Sequence, residues 1–243
     1  MKKCQIIRIP QTESTNDFLM HLSNVKNLPE ATVVVTDHQT QGRGIAGNSW
    51  ESEPEANLTF SILLYPISVR ASRQFVLSKA VSLAVYDFVS QFVPDVSIKW
   101  PNDVYVDHRK IAGILIENFV GGEFLNKSIA GIGLNINQKQ FISDAPNPVS
   151  LRQITGETYS LLNCLHDLLT HFEARYRMIS ENIDRLHSDY LQHLYRFGQI
   201  SRFSANGSFF EATITGINDY GILEVTTSEE ERKTFGFKEI SFV

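Results

Sequence analysis

Apolar and polar positions fall into short runs of two periods. QIIRI (5–9) is β-branched and predicts a first strand that Pro10 stops. Ser14-Thr15-Asn16-Asp17 stands before FLMHL, small hydroxyl and amide residues ahead of an apolar run, which marks a helix start. ATVVVTDHQ (31–39) predicts a buried strand and NLTFSILLYP (57–66) another strand, ended by Pro66. From Phe75 to Phe92 the apolar residues Val76, Ala80, Val81, Ala84, Val85, Phe88 and Val89 recur at helical spacing. VSIKW runs into a turn at Pro101-Asn102-Asp103, and VYVDHRKIAGILIENF predicts a hairpin turning near Asp107-His108-Arg109. SIAGIGLNIN (128–137) is a further apolar strand, and residues 138–150 form a loop rich in Pro, Asn and Ser.

SLLNCLHDLLTHFEARYRMISEN and the segment on to Tyr195 have helical spacing, after which the pattern changes. Short strands follow, punctuated by Asn206-Gly207 and Tyr220-Gly221, with KTFGFKEISFV adding one or two more. Strands in near succession with helices grouped beside them predict an α+β fold rather than alternating βαβ units. The change near Leu194–Gln199 divides it into a domain of residues 1–194 and a small β-barrel-like domain of residues 195–243.

Composition narrows the class. Of the 243 residues, 42% are hydrophobic and 20% charged, values of an ordinary globular protein, and the net charge of −5 argues against nucleic-acid binding. The two cysteines, Cys4 and Cys164, have neither metal-ligand nor disulfide-framework spacing. The start of the chain has no signal-peptide stretch and no apolar run is long enough to span a membrane, so a cytoplasmic protein is expected.

The densest chemical signal is Gln39-Thr40-Gln41-Gly42-Arg43-Gly44-Ile45-Ala46-Gly47-Asn48-Ser49-Trp50. Three glycines in six residues after a strand let backbone N–H groups approach an anion, and Arg43 adds a guanidinium fork. A glycine-rich surface turn reads the same way, and the loop matches neither the Walker A nor the dinucleotide pattern. Lys99-Trp100-Pro101-Asn102-Asp103 is followed by Lys110-Ile111-Ala112-Gly113-Ile114-Leu115, which sets Lys110 at the mouth of an apolar strand. There it can neutralise charge growing on a phosphoryl group, or be a plain hairpin lysine. Asp103 can hold a cation, accept a proton or only cap the turn. Gly131-Ile132-Gly133-Leu134-Asn135 puts glycines inside a strand, where a ligand or another backbone comes close.

Ser14-Thr15-Asn16, the Gly42-to-Trp50 loop, KWPND (99–103), RKIAGILIE (109–117) and GIGLNIN (131–137), in this order, resemble the catalytic domain of biotin–protein ligases across most of residues 5–155. The β-rich tail resembles that family's SH3-like C-terminal domain. The resemblance implies two steps: biotin and ATP give biotinyl-5'-AMP, with magnesium screening the triphosphate, and a lysine of a biotin carboxyl carrier domain then takes the biotinyl group. By matching position, Ser14, Thr15, Asn16 and Gln39 belong near the biotin head group. Gly42, Arg43 and Gly44 belong along the activated carboxyl and phosphate, and Trp50 beside the nucleotide. Lys110 belongs between carboxylate and α-phosphate and, with Arg43, is the catalytic candidate. Asn102, Asp103, Gly113, Gly131, Gly133 and Asn135 complete the expected site. Metal ligands are unassigned and a homodimer is left open.

The family loop usually reads GRGRxGR; here Ile45 and Asn48 stand where the second and third arginines would be. A weaker hold on the intermediate is expected, unless Lys99 or Arg109 supplies the charge. The sequence also opens at the catalytic strand, so the DNA-binding domain some members carry is not expected here. Two rivals remain: a lipoate–protein ligase, disfavoured by KWPND, and a non-catalytic biotin-binding module, disfavoured by Lys110 and Arg43.

Overall fold

A computed structural model of the chain describes residues 5–143 and 145–243; Cys4 lies outside them. Its first part runs β1 (Ile6–Thr12), α1 (Thr15–Val25), β2 (Val33–Gln39), β3 (Gly42–Arg43), β4 (Ser49–Trp50), β5 (Leu58–Leu64), α2 (Phe75–Val89), β6 (Val96–Lys99), β7 (Asp103–Val106), β8 (Arg109–Gly121) and β9 (Phe124–Leu134). Helices α3 (Leu151–Thr155), α4 (Leu161–Glu181) and α5 (Ile183–Gln192) follow. The chain ends in β10 (Ile200–Ala205), β11 (Ser208–Ile217), β12 (Leu223–Thr227), β13 (Arg232–Phe235) and β14 (Ser241–Phe242).

The main sheet has seven strands in the order β1-β2-β5-β9-β8-β7-β6. It is mixed, because β1 runs parallel to β2 while β2–β5 and β5–β9 are antiparallel. Alternation along its central strands separates two surfaces. Phe60, Ile62, Ala112, Ile114, Ile132 and Leu134 join the large core that α2 and α4 complete. α2 is apolar almost all round because it is buried between the sheet and α4, and α4 packs through Cys164, Leu165, Leu168 and Phe172. Arg175 ties the helices together, bonding Asp87 of α2 at 2.6 Å and Asp189 of α5 at 2.5 Å. Cys164 is buried, and burial pushes its thiol up to about 11, so it is unreactive at neutral pH.

The opposite surface is shared. α1 covers one half, where Leu19 meets Val34, Leu63 and Ile129 in a smaller core. The other half carries Thr59, Ser61, Gly113, Leu115, Glu117, Gly131 and Gly133, registered side by side across β5, β9 and β8. Small and polar residues at these positions leave a hollow there.

One sequence expectation changes. Pro10 does not stop β1; the strand continues past it to Thr12. β1 is an edge strand, where an absent N–H costs no ladder bond on the open side. The described residues of 138–150 form the expected loop, and the short helix α3 follows it, its capping box joining Ser150 and Gln153.

The tail forms a five-stranded antiparallel sheet, order β13-β12-β11-β10-β14, of the SH3-like kind. Its Phe203, Ile214 and Leu223 belong to the same buried cluster as Phe75 and Leu194. Trp100 Nε1 donates to Gly221 O at 2.8 Å, and Arg73 lies 3.1 Å from Asp219. Among the described residues no helix is long and apolar enough to cross a membrane.

Candidate active site

The hollow beside α1 is a cavity of about 340 Å³. Of the expected site residues, Ser14, Thr15, Asn16, Gln39, Arg43, Gly44, Trp50, Asn102, Asp103, Lys110, Gly113, Gly131 and Gly133 all line it. Gly42 and Asn135 do not. Gly42 lies behind the lining, where an added Cβ would strike Trp50 O and Gln39 Nε2. Asn135 lines a neighbouring cavity of about 610 Å³, bounded also by Phe141, Pro146 and Pro148. Trp50, Asp103 and Lys110 border both cavities.

One end of the first cavity is a buried polar network. Ser14 caps α1, its side chain accepting from Asp17 N at 3.3 Å, which fixes the helix start against the sheet. Thr15 donates its N–H and hydroxyl to Gln39 Oε1, at 2.8 and 3.2 Å. Asn16 Nδ2 donates to Leu115 O at 3.2 Å and to Glu117 Oε2 at 2.7 Å, and its Oδ1 lies 2.6 Å from Ser61 Oγ. Ser61 also reaches Thr15 Oγ1 at 2.8 Å. A Cβ at Gly131 would overlap Asn16 Oδ1, so that glycine makes room for the network.

Arg43 stands over this end rather than extending freely into the middle. Its Nη2 lies 2.5 Å from Asp17 Oδ1 and 3.3 Å from Glu117 Oε1, so two carboxylates share its charge. The glycine-rich segment is a small hairpin, β3 against β4, closed by a bond of 2.6 Å from Gly44 N to Asn48 O. That N–H is therefore spent inside the hairpin. Ile45 and Asn48 both line the first cavity.

Trp50 lies across the floor. A Cβ at Gly113 would come 3.0 Å from Trp50 Cζ3, and one at Gly133 would overlap the indole. Trp50 Nε1 is buried and has no partner among the described residues. Lys110 Nζ lies 5.7 Å from the Trp50 ring centroid and 2.7 Å from Asp103 Oδ1. Burial pushes the Asp103 carboxyl up, against the pull of Lys110 and then Lys99. Asn102 donates from Nδ2 to Ile114 O at 2.8 Å, which pins the β6–β7 turn to β8.

Lys99 lines the cavity; Arg109 does not, its guanidinium turning to Asp107 at 3.9 Å. Lys99 Nζ donates to Tyr105 OH at 3.1 Å and faces the rings of Tyr105 at 4.6 Å and Phe242 at 5.1 Å. Burial lowers its pKa from the ordinary 10.5, opposed by Asp103 and assisted by Lys110 and Arg196.

Sequence reasoning missed three groups of contributors. Ser61 and Thr59 were legible as the polar alternates of an otherwise apolar strand. Glu117 was visible within RKIAGILIE, two positions beyond Leu115 on the same face. Phe237, Lys238, Ile240, Ser241 and Phe242 of the tail line the far end, and no local signal announced them.

The arrangement joins a polar end, a small-residue floor and a lysine–aspartate pair opening onto a second cavity. That suits an extended acid whose carboxylate meets a phosphate at Lys110. The model of the biotin/lipoate A/B protein ligase family matches residues 8–135. The chain is 31% identical over 241 residues to the bifunctional ligase/repressor BirA of Bacillus subtilis (strain 168), covering 91% of this chain and 69% of that protein. It is 32% identical over 176 residues to the biotin–[acetyl-CoA-carboxylase] ligase of Mycobacterium tuberculosis, covering 70% of this chain and 64% of that one. The solved biotin protein ligase from Aquifex aeolicus in complex with biotin and ATP matches with a TM-score of 0.80 at 25% identity, covering 98% of both chains.

Proposed function

Because this chain belongs to the biotin/lipoate A/B protein ligase family, we propose that it activates biotin with ATP to biotinyl-5'-AMP and transfers the biotinyl group to a lysine of a biotin carboxyl carrier domain. The observation that carries this reading is the Lys110–Asp103 pair at the junction of the two cavities. The acid occupies the first cavity, head group toward Thr15, Asn16 and Gln39, and adenosine the second. There Asn135 Nδ2 is committed to Val149 O at 3.1 Å, while its buried Oδ1 has no partner among the described residues. An exocyclic amino group on a purine satisfies such an oxygen.

In the first step a carboxylate oxygen attacks the α-phosphorus and pyrophosphate leaves. Both reactants are anionic, so Lys110 stabilises charge that grows as they approach. In the second, a neutral lysine attacks the acyl carbon, AMP leaves, and Asp103, its carboxyl raised by burial, takes the proton. Magnesium brought with the nucleotide would screen the phosphates. Asp103 is the carboxylate beside Lys110 that would help hold it, and such an ion needs few protein ligands when phosphates supply the rest. The open side of edge strand β1 is the face on which a second copy would add.

The test incubates protein, ATP, magnesium and labelled biotin or lipoate with a carrier domain. Pyrophosphate release with biotin and label on the carrier are expected; release with lipoate alone overturns the reading in favour of the lipoate rival. A biotin-binding module without catalysis would release none with either acid.

Ile45→Arg restores a cation to the cavity wall and is expected to slow escape of biotinyl-5'-AMP by roughly tenfold, the worth of one charged hydrogen bond. Labelling of a bystander protein reads the escape, and equal labelling by both forms refutes the idea. Lys99 provides a pH signature. Its charge favours nucleotide and is lost as pH rises through a value below 10.5, so the KM for ATP climbs at a lower pH than an ordinary lysine allows. Phe242→Ala, which opens the ring cage, moves the climb to higher pH, and Lys99→Arg abolishes it.

A further inference from the structure

Glu51 follows Trp50 directly, yet its carboxylate serves a different part of the chain. Oε1 accepts from Ile142 N at 3.0 Å and from Gln138 Nε2 at 3.0 Å, and Oε2 accepts from Ser143 N at 2.9 Å. Two successive backbone N–H groups converging on one carboxylate form an anion-binding nest, here filled by a side chain. Burial alone would raise the Glu51 carboxyl, but the bonds from Ser143, Ile142 and Gln138 hold it below the usual range. It stays ionised throughout the neutral range.

The bonding continues on both sides. Gln138 is buried, and its Oε1 accepts from Glu53 N at 3.0 Å and from Asn57 Nδ2 at 2.5 Å. Asn57 Oδ1 in turn accepts from Ile136 N at 2.9 Å. Residues 51–57 are thus stitched to residues 136–143, where Phe141 and Ser143 wall the second cavity. Trp50, one residue before Glu51, lies on the floor of the first cavity against Gly113 and Gly133, with its N–H unpartnered among the described residues. Trp50 thus borders both cavities, while the adjacent Glu51 lines the second alone.

We propose that Glu51 is a positioning residue that couples the two cavities, so that acid seated against Trp50 sets the 138–143 wall for nucleotide and nucleotide in turn tightens acid. The claim rests on the functional reading above, which assigns acid to the first cavity and nucleotide to the second. Such coupling is reciprocal in binding free energy, and it requires a physical link whose geometry both ligands bias. The Glu51 bonds are that link. They lie on the nucleotide side, outside the acid cavity, so their loss leaves the acid-binding groups in place.

The experiment measures biotin affinity calorimetrically, alone and with saturating α,β-methylene-ATP, for the native protein, Glu51→Gln and Glu51→Asp. In the native protein the nucleotide tightens biotin by about tenfold, an ordinary coupling magnitude. In Glu51→Gln, which keeps shape but loses the charge, the tightening falls below about twofold and the KM for ATP rises, while the affinity for biotin alone changes little. Glu51→Asp, shorter but charged, recovers part of the coupling. Native-like coupling in Glu51→Gln overturns the proposal. So does an equal loss of affinity for biotin alone, which marks a merely structural role. No coupling in the native protein overturns it too. If the native protein released no pyrophosphate from ATP with biotin, the functional reading itself would fall, an outcome distinct from these.

Discussion

Lys110→Met lowers the rate of biotin-dependent pyrophosphate release by roughly 10²–10³-fold, the usual loss when one preorganised transition-state donor is removed. The cause is electrostatic. The carboxylate and the α-phosphate repel, and Lys110 is the cation placed between the cavities that hold them, 2.7 Å from Asp103. Methionine keeps the length and apolar stem, so packing on Trp50 survives and the protein stays folded. Removal of the ammonium also strips Asp103 of the first of the two lysines that oppose the upward push of burial, so the carboxyl rises further. The second step therefore shifts as well. Transfer from added biotinyl-5'-AMP to the carrier, which bypasses the first step, should need higher pH in the variant. Arginine at 110 restores charge but not reach, and recovers only part of the rate. A Lys110→Met protein with native pyrophosphate release would remove Lys110 from the mechanism.

Gly133→Ala weakens biotin binding by roughly ten- to a hundredfold, the cost of overpacking a filled site. Because the overlap is with a side chain of the protein itself, the melting temperature falls by a few degrees as well. The obstacle is local: the new methyl would lie 2.5 Å from Trp50 Nε1 and 2.6 Å from Cζ2, and the indole must leave the floor. Gly113→Ala is milder, with its nearest approach of 3.0 Å at Cζ3. The two substitutions thus form a graded pair in which affinity should follow the overlap. Trp50 and Trp100 are the two tryptophans, so a Trp100→Phe background lets fluorescence report the displaced indole. Native affinity and emission in Gly133→Ala would show that the floor tolerates a methyl group.

Other parts of the site differed in how openly the sequence displayed them. Ser14 was legible because a helix cap is a local event, one side chain meeting an N–H three residues on. The motif around Gly131 and Gly133 was legible as glycine inside a strand, but not what the glycines admit, since Asn16 and Trp50 are far away in the chain. Arg43 was expected along the phosphate; it lines the cavity, and its pairing with Asp17 and Glu117 was not legible, because chain closure selected those partners. Pro10 was read as a strand stop because a proline removes a donor, a loss that matters only if the strand has a neighbour on that side.

The sequence by itself determined the elements, the α+β class and thirteen of the residues that line the first cavity. Periodicity, capping and glycine placement act over a few residues, and the ordered motifs carry the family resemblance. Only the tertiary structure decided that Ser61 and Glu117 join the polar network, that Phe242 and Tyr105 enclose Lys99, and that Glu51 reaches across to Ile142 and Ser143. Those contacts depend on strand order and register, which bring distant residues within a few ångströms. No local pattern encodes that distance, because burial and hydrogen bonding are satisfied by whichever partners the closed fold supplies.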